Sequence, residues 1–193
     1  MAGRPRIFNE ETALEKASDL FWQKGYEATS TDDLIGVMGL QRGSFYNTFG
    51  SKKALFINAI NFHEENSLLE LKRVLKESSS PIQTLKEIFR SLADCPADEH
   101  GRGCFAGNTI AELSGIDEEL AEHSGKHLKA LENVFYNQVK SSQQSGELKT
   151  KTDARLLARY MLNLWNGLNI TRRIYPNKRS LLPLIELQLE LLK

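Results

Sequence analysis

The stretch LQRGSFYNTFGSKKALF, residues 40–56, carries side chains that could read nucleic-acid bases. Arginine can donate paired hydrogen bonds to guanine, and asparagine can pair in the same way with adenine, so Arg42 and Asn47 suit a major groove. Polar and aromatic residues are spaced as on a helix, which predicts a short helix with one buried and one polar face. A solvated surface helix is the alternative interpretation. The other members of the polar face are Ser44, Tyr46 and Thr48.

Residues outside the polar face could contact the sugar-phosphate backbone. Arg4 and Arg6, in GRPR, precede the first predicted helix and could form an arm in an A·T-rich minor groove, although a solubilising tail is equally consistent with them. The chain has 25 Lys and Arg residues against 25 Asp and Glu residues, so its formal net charge is zero. Any DNA-binding face must therefore be local. Further predicted phosphate contacts are Thr31, Tyr46, Lys52 and Lys53.

A second candidate for chemistry is the thiol of Cys104, in HGRGCFAGNT. It follows Arg102 at a predicted helix start, where the helix macrodipole and the guanidinium would favour the thiolate. This pattern predicts a sensor of electrophiles or oxidants, with Cys95 as the resolving thiol. A buried, unreactive cysteine is the alternative, because cysteines outside disulfides are often buried.

A conventional small-molecule pocket is the main rival to a thiol sensor. Ligand pockets are mostly apolar and aromatic, with a few polar groups that orient the ligand. Aromatic residues at helical spacing are also ordinary core residues, so both interpretations stay open. The candidate lining residues are Phe62, His63, Phe89, Phe105, Asn108, Phe135 and Trp165.

The loop between Cys95 and Cys104 also holds Asp98 and His100, which are metal-ligand types, but the spacing fits no common zinc pattern. The glycines at 101, 103 and 107 do not match a dinucleotide-binding fingerprint. A cysteine enzyme would pair Cys104 with His100 or His63, yet the sequence offers no oriented third group or oxyanion site. We therefore predict no metal, no cofactor and no enzymatic activity.

Helical periodicity along almost the whole chain predicts an all-α fold. The first helix begins at the N-cap Asn9 and stops at Gly25, and the second begins at Ser30 or Thr31 and ends at Gly39. The third breaks at glycine 50. Two short helices joined by a tight glycine turn indicate a helix-turn-helix. Its predicted core comprises Leu34, Met38, Leu40, Phe45 and Phe49.

Composition limits where the protein acts. The chain has 193 residues, 40% hydrophobic and 26% charged, which is typical of a globular protein with a real core. The sequence shows no apolar run long enough for a membrane span and no apolar stretch of a signal peptide. Two cysteines do not make a disulfide scaffold. We expect a cytoplasmic protein without a membrane partner.

Residues 26–56, YEATSTDDLIGVMGLQRGSFYNTFGSKKALF, resemble the N-terminal DNA-binding region of the TetR family of bacterial transcriptional regulators. The shared features include the Thr-Ser and Asp-Asp pairs, the Gly-x-x-Tyr-x-x-Phe helix and the Ser-Lys-x-x-Leu start of a fourth helix. The resemblance implies that Gly39 and Gly43 maintain the turn and a close backbone approach. It also implies DNA contacts by Thr31, Arg42, Ser44, Tyr46, Asn47, Thr48 and Lys52.

The same resemblance implies about nine helices in two domains. Residues 1–50 would form the helix-turn-helix DNA-binding domain, and residues 51–193 would form a helical domain for effector binding and dimerisation.

The last predicted helix, in SLLPLIELQLELLK, is apolar on nearly every side, with Pro183 in its first turn. With the preceding helix it predicts an isologous homodimer interface, which would place two recognition helices on a palindromic operator about one helical turn apart. Core of a single chain is the alternative. The residues of the preceding helix assigned to this interface are Leu156, Leu157, Tyr160, Met161, Leu164 and Leu168.

These expectations combine into a DNA-binding transcriptional regulator. It would be a homodimeric repressor, bound to double-stranded DNA and released by an unknown small-molecule effector or by thiol modification. The alternatives are a TetR-like adaptor that binds protein and, from another class, a cysteine-dependent enzyme.

Overall fold

The computed structural model describes residues 9–94 and 102–193. Within these ranges the chain forms nine α-helices and a short 3₁₀ turn, and no strand, which confirms the predicted all-α fold. None of the described helices combines the length and apolarity that a membrane span requires. The helices are α1 (Glu10–Lys24), α2 (Thr31–Met38), α3 (Arg42–Phe49), α4 (Lys52–Glu77), α5 (Pro81–Ser91), α6 (Phe105–Leu113), α7 (Glu118–Ser145), α8 (Ala154–Ile174) and α9 (Lys178–Leu189), and the 3₁₀ turn is Glu190–Leu192.

Several predicted residues lie outside the described ranges. They are the arm residues Arg4 and Arg6, and the loop residues Cys95, Asp98 and His100.

The chain divides into two compact units, Met1–Asn66 and Ser67–Lys193. The boundary falls within α4. The functional division predicted between residues 50 and 51 stays a prediction.

Side-chain caps and glycines fix the short helices of the first unit. The Asn9 side chain accepts a hydrogen bond from the Thr12 amide at 3.2 Å and starts α1. A reciprocal capping box starts α2: the Asp33 amide donates to Ser30 Oγ, and the Ser30 amide donates to Asp33 Oδ2, both at 3.0 Å. Gly39, with φ +67° and ψ +31°, ends α2 in the left-handed region that glycine adopts without steric cost.

Aromatic rings fill the core of the first unit. Phe21 of α1 meets Phe56 of α4 edge-on, with ring centroids 4.9 Å apart, and both are almost fully buried. The predicted core of the helix-turn-helix is present, with only Leu40 half-buried. Its buried members are Leu34, Met38, Phe45 and Phe49.

The second unit has its own core, built by α5, α7, α8, α9 and the end of α4. Phe89 lies near its centre, with ring centroids 6.0 Å from Phe135 and 6.1 Å from Trp165. Such aromatic contacts add directional packing to the burial of apolar area.

The structure corrects the residues assigned to the dimer interface on α8. Leu157, Met161, Leu164 and Leu168 form a stripe on α8 that is buried in the core of their own chain, in one cluster with residues of α5, α7 and α9. Leu156, on another side of α8, is 58% exposed.

The structure also corrects the position of Pro183. The Asn177 side chain accepts a hydrogen bond from the Ser180 amide at 2.9 Å, so α9 begins at Lys178, earlier than predicted. Pro183 therefore lies inside the helix rather than in its first turn.

Candidate nucleic-acid interface

α2 and α3 form the helix-turn-helix that the sequence predicts. The turn is held by backbone hydrogen bonds from the Gly39 amide to the Gly36 carbonyl at 3.2 Å and from the Leu40 amide to the Ile35 carbonyl at 3.1 Å. α3 then begins at Arg42, and within the described part of the chain its N-cap residue Gln41 makes no side-chain cap hydrogen bond. The first amides of α3 therefore receive no cap from Gln41, and a helix N-terminus is a favourable position for an anion such as a phosphate.

The two faces of α3 separate as expected. Phe45 and Phe49 are buried, with exposed fractions of 0% and 4%. Tyr46 is 45% exposed, and its ring meets that of Phe45 edge-on at 5.2 Å. The Tyr46 ring thus packs against the buried Phe45 while almost half of the residue stays exposed. Every predicted recognition residue of this helix lies on the exposed face: Arg42, Gly43, Ser44, Tyr46, Asn47 and Thr48.

Gly43 has no structural requirement within its own chain. A Cβ added there would meet nothing within 4 Å, and the residue has no positive φ. Glycine in a helix is less favourable than alanine, so its presence suggests a need for close approach from outside.

Two further predicted contacts lie at the starts of the helices that precede and follow α3 in the chain. Thr31, the first residue of α2, is half-buried, and so is Lys52, the first residue of α4. The Lys52 ammonium lies 4.3 Å from the centroid of the Tyr26 ring, a cation–π contact. The Ser51 hydroxyl accepts a hydrogen bond from the Ala54 amide at 3.1 Å and so fixes the start of α4.

Sequence reasoning missed the partner of Arg42. The Arg42 guanidinium donates to the carboxylate of Asp32, across the turn between α2 and α3. In the sequence, Asp32 is only one member of the Asp-Asp pair of the TetR-like segment. Two opposite charges on either side of a tight turn were the available signal, but spacing alone does not establish contact.

The thiol candidate lies in the second unit. Cys104 is the N-cap of α6, and its sulfur accepts a hydrogen bond from the Gly107 amide at 3.4 Å. The thiol is half-buried. The position of Cys104 at a helix start is as predicted from the sequence, and its role as a sensor stays a prediction.

The backbone before Cys104 is tied to the end of α8. Arg173 Nη2 donates to Asn108 Oδ1 at 2.8 Å and to the Arg102 carbonyl at 3.2 Å. Nδ2 of the Asn108 side chain also donates to the Arg102 carbonyl, at 2.6 Å. Asn108 thus has a structural role beside the thiol, in addition to its predicted place in a pocket.

The other pocket candidates have different surroundings. His63 lies in the first unit, with its ring centroid 4.5 Å from that of Trp22, and Phe62 is its chain neighbour. Phe89, Phe135 and Trp165 cluster in the second unit, where Phe105 is also buried. A ligand pocket lined by these residues stays a prediction. Among the described residues, no group of three metal-ligand side chains is close enough to hold an ion.

Comparisons with known proteins agree with this architecture. Residues 13–59 match the family model described as bacterial regulatory proteins, tetR family. Residues 81–183 match the model described as tetracyclin repressor-like, C-terminal domain.

Individual relatives match over most of their length. An uncharacterized HTH-type transcriptional regulator of Bacillus subtilis, YezE, is 32% identical over 161 residues, covering 82% of this chain and 83% of that protein. The HTH-type transcriptional repressor ComR of Escherichia coli is 28% identical, with 89% of this chain and 82% of the relative covered.

Among solved structures, a cysteine mutant of the TetR family regulator CifR in complex with 26-bp double-strand operator DNA superposes with a TM-score of 0.85. It is 28% identical, and the match covers 99% of this chain and 100% of that chain. These matches confirm the resemblance seen in the helix-turn-helix and extend it through the second unit: the chain belongs to the TetR family of bacterial transcriptional regulators.

Proposed function

We propose that this chain is a homodimeric transcriptional repressor that binds a palindromic operator through α3. The observation that carries the proposal is the separation of faces on α3, where the donor-rich residues are all exposed and Phe45 and Phe49 are buried. Arg42 and Asn47 would read base edges, while Thr31, Tyr46 and Lys52 would contact phosphates. The HTH-type repressor relatives and the operator complex of CifR support this function.

An exposed apolar surface on the last two helices supports the dimer. Large exposed apolar side chains on a soluble protein often mark an association site. A two-fold dimer would bring two copies of α3 to successive major grooves of a palindrome. The exposed residues are Leu156, Ile170 and Ile174 of α8, Tyr175 after it, Leu187 of α9 and Leu191 of the final turn.

Release from DNA would follow a two-state mechanism. An effector bound in the second unit, or a covalent adduct on Cys104, would favour a conformation in which α4 moves and the two recognition helices no longer match the operator. Such a ligand shifts the equilibrium only by its differential affinity for the two states, so a few kcal/mol is sufficient. The protein would carry out no catalysis, and its response would need neither a metal nor a cofactor.

Fluorescence anisotropy tests this function. Wild type and Cys104→Ser are titrated into labelled DNA from upstream of the chain's own gene, before and after treatment with a thiol-reactive electrophile. We expect salt-dependent, saturable binding by both proteins, and release of wild type alone after treatment. Retention of both proteins on DNA would show that Cys104 is not the sensor, and the effector would then be sought among non-covalent ligands. Absence of binding to any duplex would favour the adaptor.

A further inference from the structure

The contact between Asp32 and Arg42 gives the recognition surface an unexpected carboxylate. Asp32 is the second residue of α2 and Arg42 is the first residue of α3, so the pair bridges the helix-turn-helix at its turn. Both side chains are well exposed, at 73% for Asp32 and 63% for Arg42. An exposed ion pair adds little to stability, so the contact needs another explanation.

The neighbouring carboxylate, that of Asp33, caps the start of α2. Asp33 completes the capping box with Ser30 and lies 3.5 Å from the Lys24 ammonium. Hydrogen bonds from Ser30 hold the pKa of Asp33 below its ordinary value. Asp32 takes no part in that cap. The charge of Asp32 in the first turn of α2 suits the helix dipole, but a negative charge beside a phosphate-facing surface also weakens DNA binding by repulsion.

Arg42 is the group on which Asp32 can act. A lone arginine at the start of a helix is flexible, and its positive charge is unfavourable beside the positive end of the helix dipole. On such a surface it can also bind any phosphate within reach. A carboxylate that holds one side of the guanidinium restricts its rotamers and leaves the other N–H groups directed outward as a fork.

We infer that Asp32 is a positioning residue that makes Arg42 specific for one base. This inference rests on the proposed function. When Asp32 holds the guanidinium of Arg42, the outward N–H groups of the guanidinium match the paired acceptors of guanine. The nearby negative charge of Asp32 also disfavours binding of the same guanidinium to phosphates. Asp32 thereby lowers affinity for DNA in general and raises the preference for one sequence.

Parallel selections from a duplex library test the inference, using about 30 random base pairs, enough for two half-sites one helical turn apart. Duplexes are selected separately with four proteins: wild type, Asp32→Asn, Arg42→Ala and the double variant. Each protein is then titrated against the wild-type consensus duplex and against the unselected library. We expect wild type to enrich a palindrome with a strongly preferred guanine in each half-site. Asp32→Asn should bind unselected library more tightly and lose about 5- to 20-fold of the discrimination at that base, which is part of what one paired contact contributes.

The double variant separates positioning from direct contact. If Asp32 acts through Arg42, adding Asp32→Asn to Arg42→Ala changes no base preference further. An equal loss of preference with and without Arg42 would show that Asp32 contacts a base itself, and would overturn the inference. The inference would also be overturned if Asp32→Asn selected the same consensus as wild type, with the same discrimination between bases.

Two controls exclude trivial causes. Glu15→Gln removes one negative charge from an exposed position on α1 and should leave the consensus unchanged. Asp33→Asn should lower Tm through loss of the cap and also leave the consensus unchanged. If wild type enriches no sequence at all, the proposed function fails, and the inference fails with it. A defined wild-type consensus with no effect of Asp32→Asn overturns the inference alone.

Discussion

The Lys52 ammonium lies over the ring of Tyr26, 4.3 Å from its centroid, and so joins the first turn of α4 to the segment between α1 and α2. The contact holds a flexible cation in one place at the edge of the helix-turn-helix. Tyr26 is itself fixed by an edge-on contact with Phe56, whose ring centroid is 5.0 Å away. A positioned charge of this kind suits a phosphate contact, which is independent of sequence.

Replacing Lys52 with alanine should therefore weaken binding to every duplex to a similar extent. The slope of log Kd against log salt should fall by about 1, because one phosphate contact and its released counterion are lost. Titrations at several salt concentrations measure this slope. Lys72→Ala on the exposed part of α4 is the charge-matched control. Equal slopes for wild type and Lys52→Ala would remove Lys52 from the interface.

Substitution of Gly43 tests whether the DNA backbone approaches α3 closely. Because a Cβ there meets nothing in its own chain, Gly43→Ala should stabilise the fold by up to about 1 kcal/mol. The same methyl group would obstruct a DNA backbone, so we expect a loss of operator affinity of about tenfold or more, near 1.4 kcal/mol.

The matched control for this prediction is Gly36→Ala, at an exposed position of α2 where a Cβ also meets nothing within 4 Å. It should stabilise the fold without the same loss of affinity. Thermal unfolding and anisotropy are measured on both variants. A Gly43→Ala protein that is both more stable and fully competent for DNA would show that no backbone approaches α3 there.

The dimer can be tested at Leu187, which is 70% exposed on α9. Leu187→Glu should raise the dimer dissociation constant at least about 100-fold, because a two-fold interface contains the substituted residue twice and would bury two charges. Sedimentation equilibrium gives the dissociation constant directly.

Leu69→Glu, at a leucine of α4 that is 63% exposed, supplies the same change in charge and volume away from the proposed interface. It should remain dimeric. A Leu187→Glu protein that stays as tightly dimeric as Leu69→Glu would exclude α9 from the interface.

The stability of the fold at acid pH should depend on the ion pair between Arg90 of α5 and Glu186 of α9. Arg90 donates to both oxygens of Glu186, at 2.7 and 3.1 Å, and these bonds hold the pKa of Glu186 below its ordinary value. A carboxylate with a lowered pKa stabilises the fold above its unfolded pKa, about 4.3, and this contribution is lost as the pH falls through the folded value.

The difference in Tm between wild type and Glu186→Gln should accordingly be largest near neutral pH and shrink below about pH 4. Since Glu186 is about half exposed, the effect should be modest. Glu122→Gln, at an exposed position of α7, should show no such trend. A Tm difference that stays constant from neutral to acid pH would mean that the ion pair does not stabilise the second unit.

The parts of the fold that depend on local chemistry were predictable from the sequence. Caps at Asn9 and Ser30 and the glycine at 39 mark helix ends through hydrogen bonds and backbone angles that involve neighbouring residues only. The faces of α3 were predictable for the same reason, since Phe45 and Phe49 recur at helical spacing.

Features that depend on tertiary packing were not predictable. α8 is apolar on more than one side, so periodicity alone could not show that Leu157 faces the core while Leu156 faces outward. The pairing of Asp32 with Arg42 depends on the angle between α2 and α3, which no local rule specifies. The aromatic residues predicted to line one pocket likewise lie in different units, with His63 in the first and Phe89 in the second.

The most direct test of the central claim compares Asn47→Ala with Asn58→Ala. Both asparagines are exposed, the first on the polar face of α3 and the second on α4. Each variant is titrated by anisotropy against the operator and against a random duplex of equal length. If α3 reads base edges, Asn47→Ala should lose about 5- to 100-fold in operator affinity with little change on the random duplex or in salt slope, while Asn58→Ala matches wild type. Operator affinity unchanged by Asn47→Ala, or an equal loss on both duplexes, would contradict a reading role for this face.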